Sequence, residues 1–167
     1  MREVRSEILP DVLAPDLRVV FCGVAPGRVS AARRAYYAGP GNKFWPMLHR
    51  TGLTPRLFAL REYPDVLALG IGLTDVCKTA FGADHELARD AFDAAGFLAK
   101  MQQFRPRAIA FNGKFAATTA LGVKAIAYGR QPELAHGAAM FVLPSPSGRA
   151  VRFWDERFWF ELAEYVR

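Results

Sequence analysis

RVVFCGVAPGR, residues 18–28, decides the fold. Its first half, Arg18–Cys22, is a short continuous apolar run with paired valines, and it stops at Gly23. A run without polar alternation reads as a strand covered on both faces, as parallel strands between helices are. The second half turns at once: Gly23 and Gly27 allow close backbone approach, and Pro26 stiffens the turn between them. Comparable runs stand at Val66–Ile71, Ala108–Asn112 and Met140–Leu143, with Lys124–Tyr128 as a short candidate fifth strand. Helical spacing fills the intervals at Lys43–Thr51, Asp84–Phe104, Gly113–Leu121 and Asp155–Val166. Strands alternating with helices predict one α/β domain over residues 1–167: a three-layer α/β/α sandwich around a mostly parallel sheet of four to five strands. Residues 1–15 read as a leading helical arm that meets the first strand at a hinge, Ala14–Pro15.

Composition narrows the class. A chain of 167 residues that is 51% apolar and 23% charged can bury a real core. No apolar stretch approaches the roughly 20 residues of a membrane span, and MREVRSEILPDVLAPDL lacks the apolar centre of a signal peptide. With only Cys22 and Cys77, neither a disulfide framework nor a four-cysteine metal or cluster site is available. The expectation is an intracellular, cytoplasmic protein.

Charge is segregated. The net charge is +6, and Leu17–Arg61 holds no acid but contains Arg18, Arg28, Arg33, Arg34, Lys43, Arg50, Arg56 and Arg61. A second acid-free run, Ala94–Pro132, carries Lys100, Arg105, Arg107, Lys114, Lys124 and Arg130. One positive face would suit a phosphate backbone, which rewards clustered cations through counterion release. A merely solvated basic surface has the same composition, so charge alone does not separate the two.

Open parallel sheets bind ligands beyond the carboxyl ends of their strands, so the loops after Cys22, Ile71, Asn112 and Leu143 hold the candidates. Gly23-Val24-Ala25-Pro26-Gly27-Arg28 could aim backbone N–H groups at an anion or at a polar base edge. Alone, it reads better as a tight strand-to-helix connection. Tyr36-Tyr37-Ala38-Gly39-Pro40-Gly41-Asn42-Lys43-Phe44-Trp45 brackets a Gly/Pro loop with aromatics, a slot for a flat heterocycle. Phe44 and Trp45 fit a core cluster better than a slot; Tyr37 fits it less well. Leu143-Pro144-Ser145-Pro146-Ser147-Gly148-Arg149 is stiff, small and polar, and ends in a cation.

Together these segments resemble the uracil-DNA glycosylase superfamily, and within it the mismatch-specific uracil and thymine glycosylase branch. GVAPG at 23–27, YAGPGNKFW at 37–45 and LPSPSGR at 143–149 match its motif loops, and GIGLTDVCK at 70–78, AFNGK at 110–114 and YGRQP at 128–132 match the pieces between. The likeness runs in order over nearly the whole chain. It implies a DNA repair enzyme that flips uracil from single- or double-stranded DNA and hydrolyses its N-glycosidic bond, leaving an abasic site. By the same resemblance Tyr37 stacks on the extruded base, the backbone around Val24 and Ala25 lines its pocket with Ser30 nearby, and Asn42 braces the pocket loop. Asn112 reads as tidying a strand end with Lys114 or as reaching the pocket, and Ser145 is a further substrate-binding candidate. Ser147, Gly148 and Arg149 press on the minor groove, with Arg149 as the wedge; on charge and placement alone, Arg28, Lys43 and Arg152 are candidate phosphate contacts.

One position departs from the family pattern. Ala25 stands where similar enzymes carry an asparagine that positions the attacking water. Fixed dipoles around a departing uracil anion still supply acceleration. Asp75 offers a carboxylate to activate water or to accept the uracil N3–H; capping a following helix would also suit it. A slow enzyme that holds its product is the other accommodation. His136 is a weaker acid or base candidate. No lysine stands at a motif position suited to Schiff-base attack, so the expected enzyme is mono-functional; it needs no metal or organic cofactor, and a monomer is the default for a base-flipping enzyme. Two further readings stay open: removal of hypoxanthine, which the YYAxPxNxFW pattern also resembles, and a non-catalytic binder of uracil or abasic DNA.

Overall fold

The computed structural model describes residues 6–132 and 137–167. Five strands form one sheet: β1 Val19–Gly23, β2 Ile71–Asp75, β3 Ala108–Asn112, β4 Gly129–Gln131 and β5 Ala139–Leu143. Their order is β2-β1-β3-β5-β4; the first four run parallel, and β4 pairs antiparallel with β5 at one edge. Every residue of β1, β2, β3 and β5 is buried, because helices cover both faces. One face packs against α2 (Phe44–Arg50) and α5 (Arg157–Val166) through Phe44, Leu48, Trp159 and Leu162. The other packs against α3 (Ala94–Phe104) and α4 (Lys114–Leu121) through Phe97, Met101, Ala117 and Ala120. The small α1, Arg28–Arg33, follows the first loop. This is the expected three-layer α/β/α sandwich.

Three expectations need correction. The second strand is Ile71–Asp75, not Val66–Ile71; Leu60–Leu69 is a 3-10 helix that ends at Gly70 in the left-handed region, φ +77°. Gly72 disguised the strand, since a glycine inside a strand weakens its signal. A Cβ there would lie 2.7 Å from Leu17 Cδ1 and 2.9 Å from the Val12 carbonyl, so the leading segment packs where a side chain would stand. That segment is the second correction: residues 6–15 hold no helix. Pro10 and Pro15 interrupt it, and Val12 and Leu73 exchange two N–H···O bonds of 2.9 Å, laying the arm along the β2 edge. Residues 1–5 lie outside the described residues. Third, Asp84–Phe104 is not one helix. Two single 3-10 turns precede α3, which Asp93 starts by accepting Gly96 N–H at 2.9 Å. The short fifth strand lies just beyond Lys124–Tyr128 and is antiparallel.

The chain leaves β1 for β2 on one side and later crosses back to β3 on the other. Such a reversal opens a crevice at the strand ends, and the site lies there.

Candidate active site at the strand ends

A cavity of about 660 Å³ opens beyond Gly23, Asp75 and Asn112, the last residues of β1, β2 and β3. Its lining brings together Val24, Ala25, Arg28, Ser30, Tyr37, Asp75, Asn112, Ser145, Ser147, Gly148 and Arg149. Of the expected site residues, only Lys43 and Arg152 stay outside the lining. The Lys43 ammonium lies 5.1 Å from the Trp154 ring, and the Arg152 guanidinium 5.3 Å from that of Phe153. His136 lies outside the described residues.

Tyr37 forms one wall of the cavity. Its backbone sits in the left-handed region at φ +56°, a costly conformation for a residue with a side chain. Two contacts hold it there. The ring stacks on Phe44 at 3.9 Å with 28° between planes, and Oη accepts a hydrogen bond from Asn112 Nδ2 at 2.6 Å. Phe44 and Trp45 are themselves buried core, as expected, and the Trp45 indole N–H donates to the Tyr36 carbonyl at 3.0 Å. Ser30 is buried, and its Oγ accepts the Ala38 N–H at 3.0 Å, fixing the segment that carries Tyr37. Burial, with the Asp75 charge adding to it, holds the Tyr37 phenol well above its ordinary range, so it stays neutral.

At the floor stand two buried oxygens without a partner, Asp75 Oδ2 and Asn112 Oδ1. A buried acceptor left unpaired costs about 1–3 kcal/mol, so a site that keeps two is holding them for something else. Asp75 is 5% exposed and ends β2; no helix begins after it, which removes the capping role. Burial pushes its carboxyl up to about 7, against the pull of the Lys78 ammonium and with the Asp11 charge adding to the rise. Near neutral pH it therefore exists in both forms. Gly23 is glycine because of this floor: a Cβ would lie 2.6 Å from Asp75 Oδ1 and 3.3 Å from Tyr37 Oη. Ala25 lines the cavity and brings no polar side chain to it. Val24 gives its carbonyl to the Cys77 N–H at 2.8 Å, so that oxygen serves the fold.

The rim is made of loops tied to one another. Asn42 Oδ1 accepts the Phe44 N–H at 2.9 Å and steadies the start of α2. Lys43 N–H donates to the Pro146 carbonyl at 2.8 Å, joining the Tyr37 loop to the 144–149 loop. Gly148 packs so closely that a Cβ would lie 2.6 Å from the Pro40 carbonyl oxygen. Within the loop, Ser145 Oγ accepts Ser147 N–H and Ser147 Oγ accepts Arg149 N–H, each at 3.3 Å. Arg149 and Gly148 are exposed. Arg28 is also exposed, but it is paired with Glu86 across the cavity mouth. Exposed pairs of this kind are weak, so a phosphate can compete for the guanidinium. Glu86 and the exposed Phe153, which also line the cavity, gave no signal in the sequence.

The cavity thus brings together an aromatic wall at Tyr37, two unpartnered oxygens on Asp75 and Asn112, and the exposed Arg28 and Arg149. Those features describe a pocket for a nucleobase drawn out of its stack. The profile of the uracil DNA glycosylase superfamily matches residues 10–163, and the chain belongs to that superfamily. It is thus a DNA glycosylase, a DNA-binding hydrolase of base excision repair. Its fold is also that of a solution NMR structure of a proposed uracil DNA glycosylase from Methanosarcina acetivorans. The two share 22% identity and a TM-score of 0.64 over 97% of this chain and 98% of that one. Among the described residues no helix is long and apolar enough to cross a membrane.

Proposed function

We propose that this chain is a mono-functional uracil glycosylase of the mismatch-specific branch, acting as a monomer on intracellular DNA, with Asp75 in place of the missing asparagine. The observation that carries the reading is the pair of unpartnered oxygens, Asp75 Oδ2 and Asn112 Oδ1, at the end of a cavity walled by Tyr37. Uracil offers an N3–H flanked by two carbonyls. Asn112 Oδ1 suits the N3–H, and the second hydrogen on Nδ2 suits O4. Cytosine reverses this pattern, with an acceptor at N3 and an amine at C4, and would leave buried groups unpaired.

The chemistry then follows. The base lies against Tyr37 and Arg149 fills the space it left. The C1′–N1 bond breaks with its electron pair going to the ring, so uracil leaves as an anion and the sugar becomes oxocarbenium-like. Pocket dipoles favour that charge separation. A water adds to C1′, and its proton passes to the Asp75 carboxylate, giving an abasic site. Val24, Ser30 and Ser145 shape the pocket wall, and Arg28, Lys43, Ser147, Gly148 and Arg152 contact the DNA backbone. With no asparagine at Ala25, tight retention of the product accompanies slow turnover.

Single-turnover assays on end-labelled DNA, with alkali to reveal abasic sites, test this. Uracil opposite guanine, opposite adenine and unpaired should be run beside hypoxanthine, because a 660 Å³ cavity also has room for a purine. The expected rate rises with pH through about 7, as Asp75 ionises, and levels off above. A rate that falls over that interval would assign Asp75 an acid role instead. Excision of hypoxanthine alone would move the chain to another branch.

A further inference from the structure

A largely buried cluster beside β2 meets the pocket only through Tyr36, and its charges do not balance. Asp11, on the leading arm, accepts Thr74 Oγ1 at 2.7 Å and pairs with Lys78 Nζ at 2.7 Å through the same oxygen. Its other oxygen accepts from Lys100 Nζ at 2.5 Å. Lys78 Nζ also donates to Tyr36 Oη at 3.2 Å, and that hydroxyl donates to the Pro10 carbonyl at 3.0 Å. Lys78 is only 9% exposed. Two ammoniums therefore share one carboxylate. Lys100 is 29% exposed and in part solvated, but the Lys78 charge sits where leaving it unanswered is expensive.

A second carboxylate lies next along the strand. Thr74 and Asp75 point to opposite faces of β2, and Lys78 spans the edge between them, reaching Asp11 beside Thr74 and Tyr36 on the Asp75 side. Tyr36 is in ring contact with Tyr37, at 6.1 Å between centroids. Among the described residues, the ionisable groups that act on Asp75 or share its floor are Lys78, Asp11, Lys100, Tyr36, Tyr37 and Cys22. Burial pushes the thiol of Cys22 and both phenols up, so these three are neutral. Only the two lysines and Asp11 bring charge, and their sum is positive. Ionised Asp75 brings the four groups to neutrality.

We propose that Lys78 is a positioning residue: its ammonium, only half answered by Asp11, is the counter-charge that lets the Asp75 carboxylate form inside the pocket. Asp11 tunes that surplus, which gives the leading arm a part in catalysis although it touches no substrate. The inference rests on Asp75 as the group that handles water.

The test is the pH dependence of single-turnover excision, with the Asp75 carboxyl carbon followed by NMR in the same proteins without DNA. Lys78→Met should move both midpoints upward by about one pH unit, as expected on losing a nearby opposite charge. Asp11→Asn should move them downward, and Lys78→Arg should leave them in place. If Lys78→Met does not fold, Lys100→Met takes its place, with an upward shift expected. Midpoints that coincide with the wild type, or that move the same way in Lys78→Met and Asp11→Asn, overturn the proposal. Should the wild type excise nothing, the glycosylase reading fails, while the NMR midpoints still decide the charge assignment.

Discussion

Asp75→Asn should lower single-turnover excision by about 10²–10⁴-fold, the usual cost of a lost general base, and should at the same time make the fold more stable above pH 7. The two effects share one cause. The carboxyl is buried, its Oδ2 has no partner, and its pKa is raised from 3.8 to about 7. A group whose folded pKa exceeds its unfolded value gives stability that is full below the unfolded pKa and is lost as pH rises through the folded one. The loss runs at about 1.4 kcal/mol per unit, so the wild type gives up on the order of 3–4 kcal/mol between about pH 4 and 7. Asparagine keeps the shape and has no charge to desolvate. Urea denaturation at pH 4 and pH 8 should therefore show little difference between the proteins at the lower pH and a clear gain for Asp75→Asn at the higher. Affinity for undamaged DNA should be unchanged, because Asp75 lies at the floor and not at the rim. Equal stability at both pH values would mean that the carboxyl is solvated, and the catalytic assignment would lose its physical basis.

Gly148→Ala should cripple the enzyme from the other end of the site. The added Cβ would lie 2.6 Å from the Pro40 carbonyl oxygen and 3.2 Å from the Gly41 carbonyl carbon, both backbone atoms that cannot swing aside. The 144–149 loop and the Tyr37 loop must part, although Lys43 N–H and the Pro146 carbonyl tie them together. Overpacking of this kind costs about 1–3 kcal/mol. The functional cost should be larger, since a displacement of about 1 Å at a reacting site lowers rates by about 10²-fold. Excision and binding of uracil DNA should thus fall about 10²-fold while the sheet still unfolds as one cooperative unit. A variant with wild-type rates would show that the two loops move independently during base capture.

Much of this was legible in the sequence, and the legible part has a common character. β3 was read to the residue, and β1 and β5 to within one, because a doubly covered strand is written as an uninterrupted apolar run. The strand-end rule points to the loops after β1, β3 and β5, whereas Asp75 emerges only as a substitute for the asparagine missing at Ala25. What escaped depends on contacts between residues far apart in the chain. Asp11 and Lys100 are separated by 89 positions, and no local pattern joins them. The arm read as helix because its edge pairing with Leu73 is invisible without β2, and β2 was misplaced because Gly72 makes room for that arm. The same holds for Arg28: its basic character was evident, its partner Glu86 was not. The helix-capping alternative for Asp75 was equally a local inference, and it gave way once the segment after β2 proved not to be helical.

The most direct test of the account is the identity of the base released. DNA carrying one uracil per strand, incubated with an excess of the protein near pH 8, should yield one equivalent of free uracil by liquid chromatography and mass spectrometry. The strand should stay intact until alkali is added. Tight binding to the same DNA with no free base would contradict the account and leave a lesion-binding protein whose Asp75 serves another purpose.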